Sequence, residues 1–129
     1  VDPVRDVIAS LKATTDRALQ FGIESKNIII DPGFGFGKTA DHNIEIMRRL
    51  LEFKTLPYPL LIGTSRKSTL GLILDLPVNE RLEGTISTVA LSVANGADIV
   101  RVHDVREALR ASQVADAIVR NWRPDHWVK

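Results

Sequence analysis

An acid, a lysine and an arginine–histidine couple stand in this chain directly after short apolar runs, where side chains with chemistry to do are commonly presented. Asp31 follows Ile28-Ile29-Ile30, and Lys67 lies in Thr64-Ser65-Arg66-Lys67-Ser68, behind Leu60-Leu61-Ile62 and Gly63. Arg101 and His103 follow Ile99-Val100 at i and i+2, so on a strand they point to one face. A carboxylate at a strand end can pair with a cationic amidine or guanidine-like ring edge through two hydrogen bonds. It can equally cap an Asp-Pro turn, and the residue taken alone supports both readings. Ser65, Lys67 and Ser68, with Arg66, offer cations and hydroxyls that can neutralise a phosphate or meet a ring carbonyl; the bland alternative is a solvated basic turn. A desolvated Lys67 could instead form a Schiff base. An arginine in an apolar strand is expensive unless paired, so Arg101 either joins His103 in an anion clamp or bridges to Asp98 or Asp104.

The loop Asp31-Pro32-Gly33-Phe34-Gly35-Phe36-Gly37-Lys38-Thr39 lets backbone approach a ligand closely, and amides near a helix start suit an anion. It is not a Walker A loop, because Pro32 stands where the first glycine is needed, and it fits the dinucleotide fingerprint only loosely. Phe34 and Phe36 read as core anchors or as an aromatic wall for a flat ligand, and composition favours the core. No His/Asp/Glu spacing suggests a transition-metal site.

These residues need elements to hold them. Val4, Ile8, Leu11, Thr15 and Ala18 recur at helical spacing, with Gly22 placed to stop the helix. Ile28–Ile30 reads as a strand buried on both faces, followed by a helix from about Asp41 with Ile44, Met47, Leu50 and Leu51 on one side. The second strand, Leu60–Ile62, leads through an apolar stretch from Leu70 to Leu76 into a long helix capped by Asn79, with Leu82, Ile86, Val89, Ala90 and Val93 inward. The third, Ile99–Val102, precedes a helix at which Asp104 and Glu107 have capping-box spacing. A leading helix and three strand–helix units predict an α/β fold with a parallel sheet and right-handed crossovers. Three units cannot close a (β/α)8 barrel, which takes about 250 residues. The sequence pattern therefore describes either part of such a barrel or a small open doubly wound sheet.

Bulk properties bound the partners. The chain has 129 residues, 44% hydrophobic and 26% charged, with a net charge of +1, which is the balance of a globular domain with no general bias toward nucleic acid or anionic membrane. It has no cysteine, which fits a reducing cytosol. No apolar run approaches the roughly 18 residues that span a bilayer. The start, Val-Asp-Pro-Val, lacks an initiator Met and is not a signal peptide, so a processed or truncated chain is expected.

Taken together, the segments from Asp31 to Lys38, from Gly63 to Ser68 and from Arg101 to Asp104 resemble the three C-terminal signatures of dihydropteroate synthase, and Arg81 and Gly84 in Asn-Glu-Arg-Leu-Glu-Gly resemble the segment before that family's long seventh helix. The likeness runs from about residue 1 to residue 121. It implies the C-terminal portion of a (β/α)8 barrel across residues 1–129, with the N-terminal half of the barrel absent. It implies an enzyme that condenses 6-hydroxymethyl-7,8-dihydropterin pyrophosphate with para-aminobenzoate, giving 7,8-dihydropteroate and pyrophosphate in folate biosynthesis. By the same resemblance Asp31 holds the amino-pyrimidine edge of the pterin. Lys67 also touches the pterin and, with Phe36 and Ser68, shapes the para-aminobenzoate pocket where sulfonamides compete. Arg101 and His103 hold pyrophosphate with help from Ser65, while Gly35 and Gly63 leave room beneath the ring. Mg²⁺ is expected through the pyrophosphate and an Asn in the absent half, so the isolated fragment is expected to be inactive. A cytoplasmic homodimer joined through the C-terminal helices is also implied. The competing readings are a pterin-binding methyltransferase domain, a Schiff-base aldolase using Lys67, and a non-enzymatic interaction fragment.

Overall fold

A computed structural model describes residues 1–127. Helix α1 (Pro3–Gln20) begins with the Asp2 carboxylate accepting from the amides of Val4 and Arg5, and Pro3 occupies the first helical position, where no N–H is missed. It ends at Gly22, which takes φ +92. There the Gly22 amide donates to the Leu19 carbonyl and the Ile23 amide to that of Ala18, a Schellman stop. Helix α2 spans Ala40–Arg48, strand β1 Leu61–Ile62, helix α3 Ser68–Leu74, helix α4 Leu82–Ala94, strand β2 Ile99–Val100 and helix α5 Val105–Val119. Among the described residues, no helix is long and apolar enough to cross a membrane.

The strands are short and parallel. Leu61 pairs with Ile99 and Ile62 with Val100, while Ile30 forms a single parallel bridge to Leu60. Parallel order with helices in between is the three-unit alternation that the apolar runs predict. Side chains alternate along each strand, and this register puts them in two sets. Ile28, Ile30, Leu60, Ile62 and Val100 enter a core with Val4, Ile46, Leu50 and Phe53 from the helical layer. Ile29, Asp31, Leu61, Gly63, Ile99 and Arg101 fall on the opposite face, where Ile29 is 55% and Ile99 37% exposed.

The structure departs from the sequence pattern at several positions. The Ile28–Ile30 run is buried on one face only, because helices cover one side of the sheet and nothing in the described residues covers Ile29 on the other. Leu51 is exposed, and α2 instead turns Asn43 and Ile46 inward, with buried Leu50 just beyond. Leu70–Leu76 is largely helix α3, ended by Asp75 in the left-handed conformation. Asn79 does not cap α4: Val78–Glu80 forms a 3₁₀ turn, and Arg81 takes the cap position. The capping box at Asp104 does not form either, because that carboxylate is drawn to the Arg66 guanidinium at 2.8 Å. On α4, Val89 and Val93 are buried, but so are Thr85 and Ser92, whose hydroxyls are paired.

Candidate active site

Each loop after a strand is shaped by its own residues before it meets the others. Asp31 Oδ1 accepts from the Gly33 amide at 2.8 Å, so the Asp-Pro turn forms, yet Oδ2 remains turned toward Arg101 Nη1 at 3.7 Å. The turn and the ligand readings of Asp31 thus use different oxygens. Lys38 Nζ donates to the carbonyls of Gly33 and Phe36, closing the glycine loop upon itself rather than standing ready for a phosphate. Phe34 is 2% exposed and anchors the loop in the core, whereas Phe36 is 66% exposed, against the expectation that both rings are core.

The second loop comes to meet the first. Lys67 Nζ donates to the Phe34 carbonyl and lies 4.4 Å from the centre of the Phe36 ring. Gly35, with φ +86, makes this approach possible: a Cβ there would lie 2.8 Å from Lys67 Cδ. Burial lowers the Lys67 pKa, and the nearby cations Arg101 and Lys38 push the same way against the opposing pull of Asp31.

The third segment closes the group. A Cβ on Gly63 would fall 2.6 Å from Arg101 Nη2, so the glycine is the floor on which the guanidinium lies. Arg101 therefore takes neither of the structural bridges that its neighbours offered. Asp98 is engaged by Lys54 and Arg120, and Asp104 by Arg66, whose hydrogen bond lowers the Asp104 pKa. His103 Nδ1 lies 2.7 Å from Ser65 Oγ, and the same oxygen accepts from the His103 amide at 3.1 Å. With one lone pair committed to that amide, the Ser65 hydroxyl can donate to Nδ1, which leaves Nε2 of a neutral ring carrying the proton.

Gly63, Ser65, Lys67, Arg101, Val102 and His103 line one cleft of about 170 Å³. Asp31 stands at its edge beside Arg101, and Gly35 and Phe36 flank it through their contacts with Lys67. Ser68 is exposed at the start of α3 and does not line the cleft. The space above Gly63 is filled by Arg101 and that above Gly35 by Lys67, so neither glycine presents an open floor. The volume is small beside the 300–1,000 Å³ of whole ligand pockets. Two fixed cations and a histidine in so small a space suit an anion, and the free oxygen of Asp31 adds one acceptor for a ring N–H edge.

One supporting residue has no signal in the strand pattern. Asn43 is 2% exposed on α2; its Oδ1 accepts from the Gly35 amide at 2.9 Å and its Nδ2 donates to Thr69 Oγ1 at 3.0 Å. It ties the glycine loop to α3 and so holds the first two loops in register. An asparagine one turn before Ile46 and Met47, on the side of the helix that turns inward, is the only hint of this in the sequence.

Comparison with known proteins agrees with the geometry. A family described as "Pterin binding enzyme" matches residues 1–103. The dihydropteroate synthase of Clostridium beijerinckii is 49% identical over 118 residues, covering 91% of this chain and 44% of that protein. That of Bacillus subtilis is 43% identical over 125 residues, covering 97% and 44%. Among solved structures, the dihydropteroate synthase from Clostridium difficile in the presence of pteroic acid superimposes with a TM-score of 0.90 at 47% identity, covering 93% of this chain and 46% of that one. A Yersinia pestis dihydropteroate synthase in complex with a sulfonamide drug gives a TM-score of 0.90 at 34% identity, covering 94% and 44%. The chain thus spans less than half the length of these relatives. Its leading helix and three βα units are the C-terminal portion of a (β/α)8 barrel of their kind, and the chain belongs to the pterin-binding enzyme family.

Proposed function

We propose that this chain is part of a dihydropteroate synthase and supplies the pterin-orienting and pyrophosphate-holding side of its active site. The observation that carries this reading is the convergence of Asp31, Lys67, Arg101 and the Ser65–His103 pair around one cleft. In this reading pyrophosphate leaves first. Its C–O bond breaks toward the phosphate, and Arg101 with protonated Nε2 of His103 takes up the developing negative charge. The pterin methylene left behind is cationic, and Asp31 Oδ2, facing the amino-pyrimidine edge, holds that ring and offsets its charge. The neutral aryl amine of para-aminobenzoate then attacks, with Phe36 and Lys67 beside it and Ser68 at the outer margin, and the proton shed by the new C–N ammonium passes to solvent. Sulfonamides would compete for the same place.

Mg²⁺ is not suited to the residues present. A hard cation prefers oxygen ligands, whereas the cleft is lined by Lys67, Arg101 and His103, and no group of three or more acidic, His or Cys side chains gathers among the described residues. We assign its ligands to the remainder of the barrel and derive no step through it. The 129 residues alone are then expected to be inactive, and measurable turnover by them would contradict this. A cytoplasmic site of action follows from the reading as a folate enzyme.

A homodimer through α4 and α5 belongs to the same proposal. A groove of about 750 Å³ between these helices is lined almost wholly by apolar groups, including Ile86, Ala90, Leu91, Val114 and Ile118. Sedimentation of an Ile118→Lys variant should show monomers where the parent protein shows dimers; an unchanged dimer would remove this surface from the proposal.

The alternative use of Lys67 as a Schiff-base nucleophile is disfavoured because its amine is already engaged at the Phe34 carbonyl and against the Phe36 ring, even though burial lowers its pKa. Calorimetry on the full-length protein separates the roles. Asp31→Ala should weaken a pterin, and Arg101→Ala pyrophosphate, each by about 100-fold, the scale of losing a charge-assisted pair of hydrogen bonds. Equal losses for both ligands in both variants, or none, would refute the assignment.

A further inference from the structure

The segment that carries Ser65 and Lys67 is held from outside the cleft. Arg66 takes φ +57, a left-handed conformation that a residue with a Cβ seldom adopts unless its surroundings impose it. Those surroundings come mainly from one face of α4. The Thr85 hydroxyl, fully buried, accepts from the Arg66 amide at 3.1 Å. Arg81, one turn earlier, donates from Nη1 to the Arg66 carbonyl at 2.8 Å and from Nε to the Leu76 carbonyl at 3.2 Å. A turn later, Thr88 Oγ1 meets Thr64 Oγ1 at 2.7 Å. Residues 81, 85 and 88 share a helix face by their spacing, and together they follow the loop from Arg66 back to Thr64. The Arg66 side chain is drawn away from the cleft to Asp104.

Arg81 matters most among these ties because of what its target belongs to. The Arg66 carbonyl and the Lys67 amide are the two ends of one planar peptide group. The Lys67 amide donates to the Thr64 carbonyl at 3.1 Å while Arg81 holds the other end. With both ends held, that plane is fixed, and the next peptide is held too because the Lys67 carbonyl accepts from the Leu70 amide at 3.0 Å; between the two, the direction of the Lys67 Cα–Cβ bond is set. Gly71 completes the device: a Cβ there would lie 2.3 Å from Arg81 Nη2 and 2.5 Å from Cζ, so the guanidinium reaches its place only across a bare helix backbone.

We propose that Arg81, seated on Gly71, is a positioning residue that aims Lys67 into the cleft. Its importance to catalysis rests on the synthase reading above, but the aiming itself does not. Two variants approach the same contact from opposite sides. Arg81→Met removes the guanidinium. Gly71→Ala leaves it present but displaced, and because the atoms in conflict are the far end of a flexible side chain, the fold tolerates the change.

The first test needs no substrate: acylation of the full-length protein with a limiting amount of an amine-reactive ester, with Lys67 labelling read by peptide mass against the other lysines. Both variants should change the relative labelling of Lys67 about threefold or more, the scale of losing one hydrogen-bonded constraint, and the double variant should go no further than either single one. The second test is kinetic. KM for para-aminobenzoate should rise about tenfold in both variants with a smaller change in kcat, Arg81→Lys should recover part of the loss, and Arg81→Met should add nothing in a Lys67→Met background. Unchanged Lys67 labelling in both variants, or full additivity in the double variant, would overturn the proposal. Should the parent protein turn over no pterin pyrophosphate while Lys67 labelling responds as expected, the synthase reading fails and the positioning role stands.

Discussion

The two ends of the short parallel sheet are built from similar charges and put them to opposite uses. At the end where the strands begin, Asp98 accepts from the Leu60 amide at 2.9 Å and is flanked by Lys54 and Arg120, while Arg120 also reaches the carbonyl of Ala97. Burial alone would raise the Asp98 pKa, but these partners outweigh it and lower it. Where the strands end, Asp31 gives only one oxygen to its own turn, and its nearest cation stands off at 3.7 Å. Arg101 lies on a glycine with Asp31 standing off as its partner acid, and Lys67 bridges two loops instead of pairing with a carboxylate. The difference lies in saturation. Hydrogen-bonding capacity consumed within the protein yields stability; capacity left over at a cleft is available to a ligand, as is usual at the two faces of βα architectures.

Substitutions at each end put that contrast to the test. The largest effect is expected from Asn43→Ala, which strands the buried Thr69 hydroxyl and the part-buried Gly35 amide together. Two unsatisfied groups should cost about 2–4 kcal/mol, read as the midpoint shift in denaturant unfolding of the full-length protein. If unfolding is unaffected, the cleft end does not depend on internal saturation for its own support. Asp98→Ala should cost somewhat less, about 1–2 kcal/mol, while leaving pterin and pyrophosphate affinities at parental values; a loss of affinity comparable to that of Asp31→Ala would erase the distinction between the ends.

The smallest and sharpest effect is on titration. Burial and the neighbouring cations depress the Lys67 pKa, so the folded state disfavours its charge. The resulting penalty is present below the folded pKa and is relieved as pH rises through it toward the ordinary lysine value. Removing one of those cations in Arg101→Ala should move the Lys67 midpoint upward, measurable by NMR of a labelled ε-amine. A midpoint that stays put would show Arg101 to be too well screened to act on its neighbour.

The sequence disclosed the cleft better than its supports. Asp31, Lys67, Arg101 and His103 could be found because each lies at the end of an apolar run or in the loop just beyond it, and parallel strands in register bring such positions to one rim. The half-exposed face of the sheet could not be read from Ile28–Ile30, since an unbroken apolar run does not say which of its faces is covered. Asn43 and Thr85 were missed, and Arg81 was marked by its motif but not by what it holds, for a different reason. Their partners are loop atoms distant in sequence, and a helix period registers whether a side chain is apolar, not which backbone group it reaches. The same limit explains Asp104: the local pattern gave it a helix to cap, and Arg66, far away in sequence, took its carboxylate instead.

Asp31, Gly63 and Arg101 occupy the sheet face opposite Ile30, Ile62 and Val100, so sliding the first strand or β2 by a single position would drive a charge into the helical layer and a branched aliphatic out of it. An unpaired ion in that layer is far costlier than a lost methyl contact. The polar groups thus act as proofreaders during assembly: a mis-registered intermediate carries its own penalty, and the charges that await a ligand first help select the alignment in which one can bind.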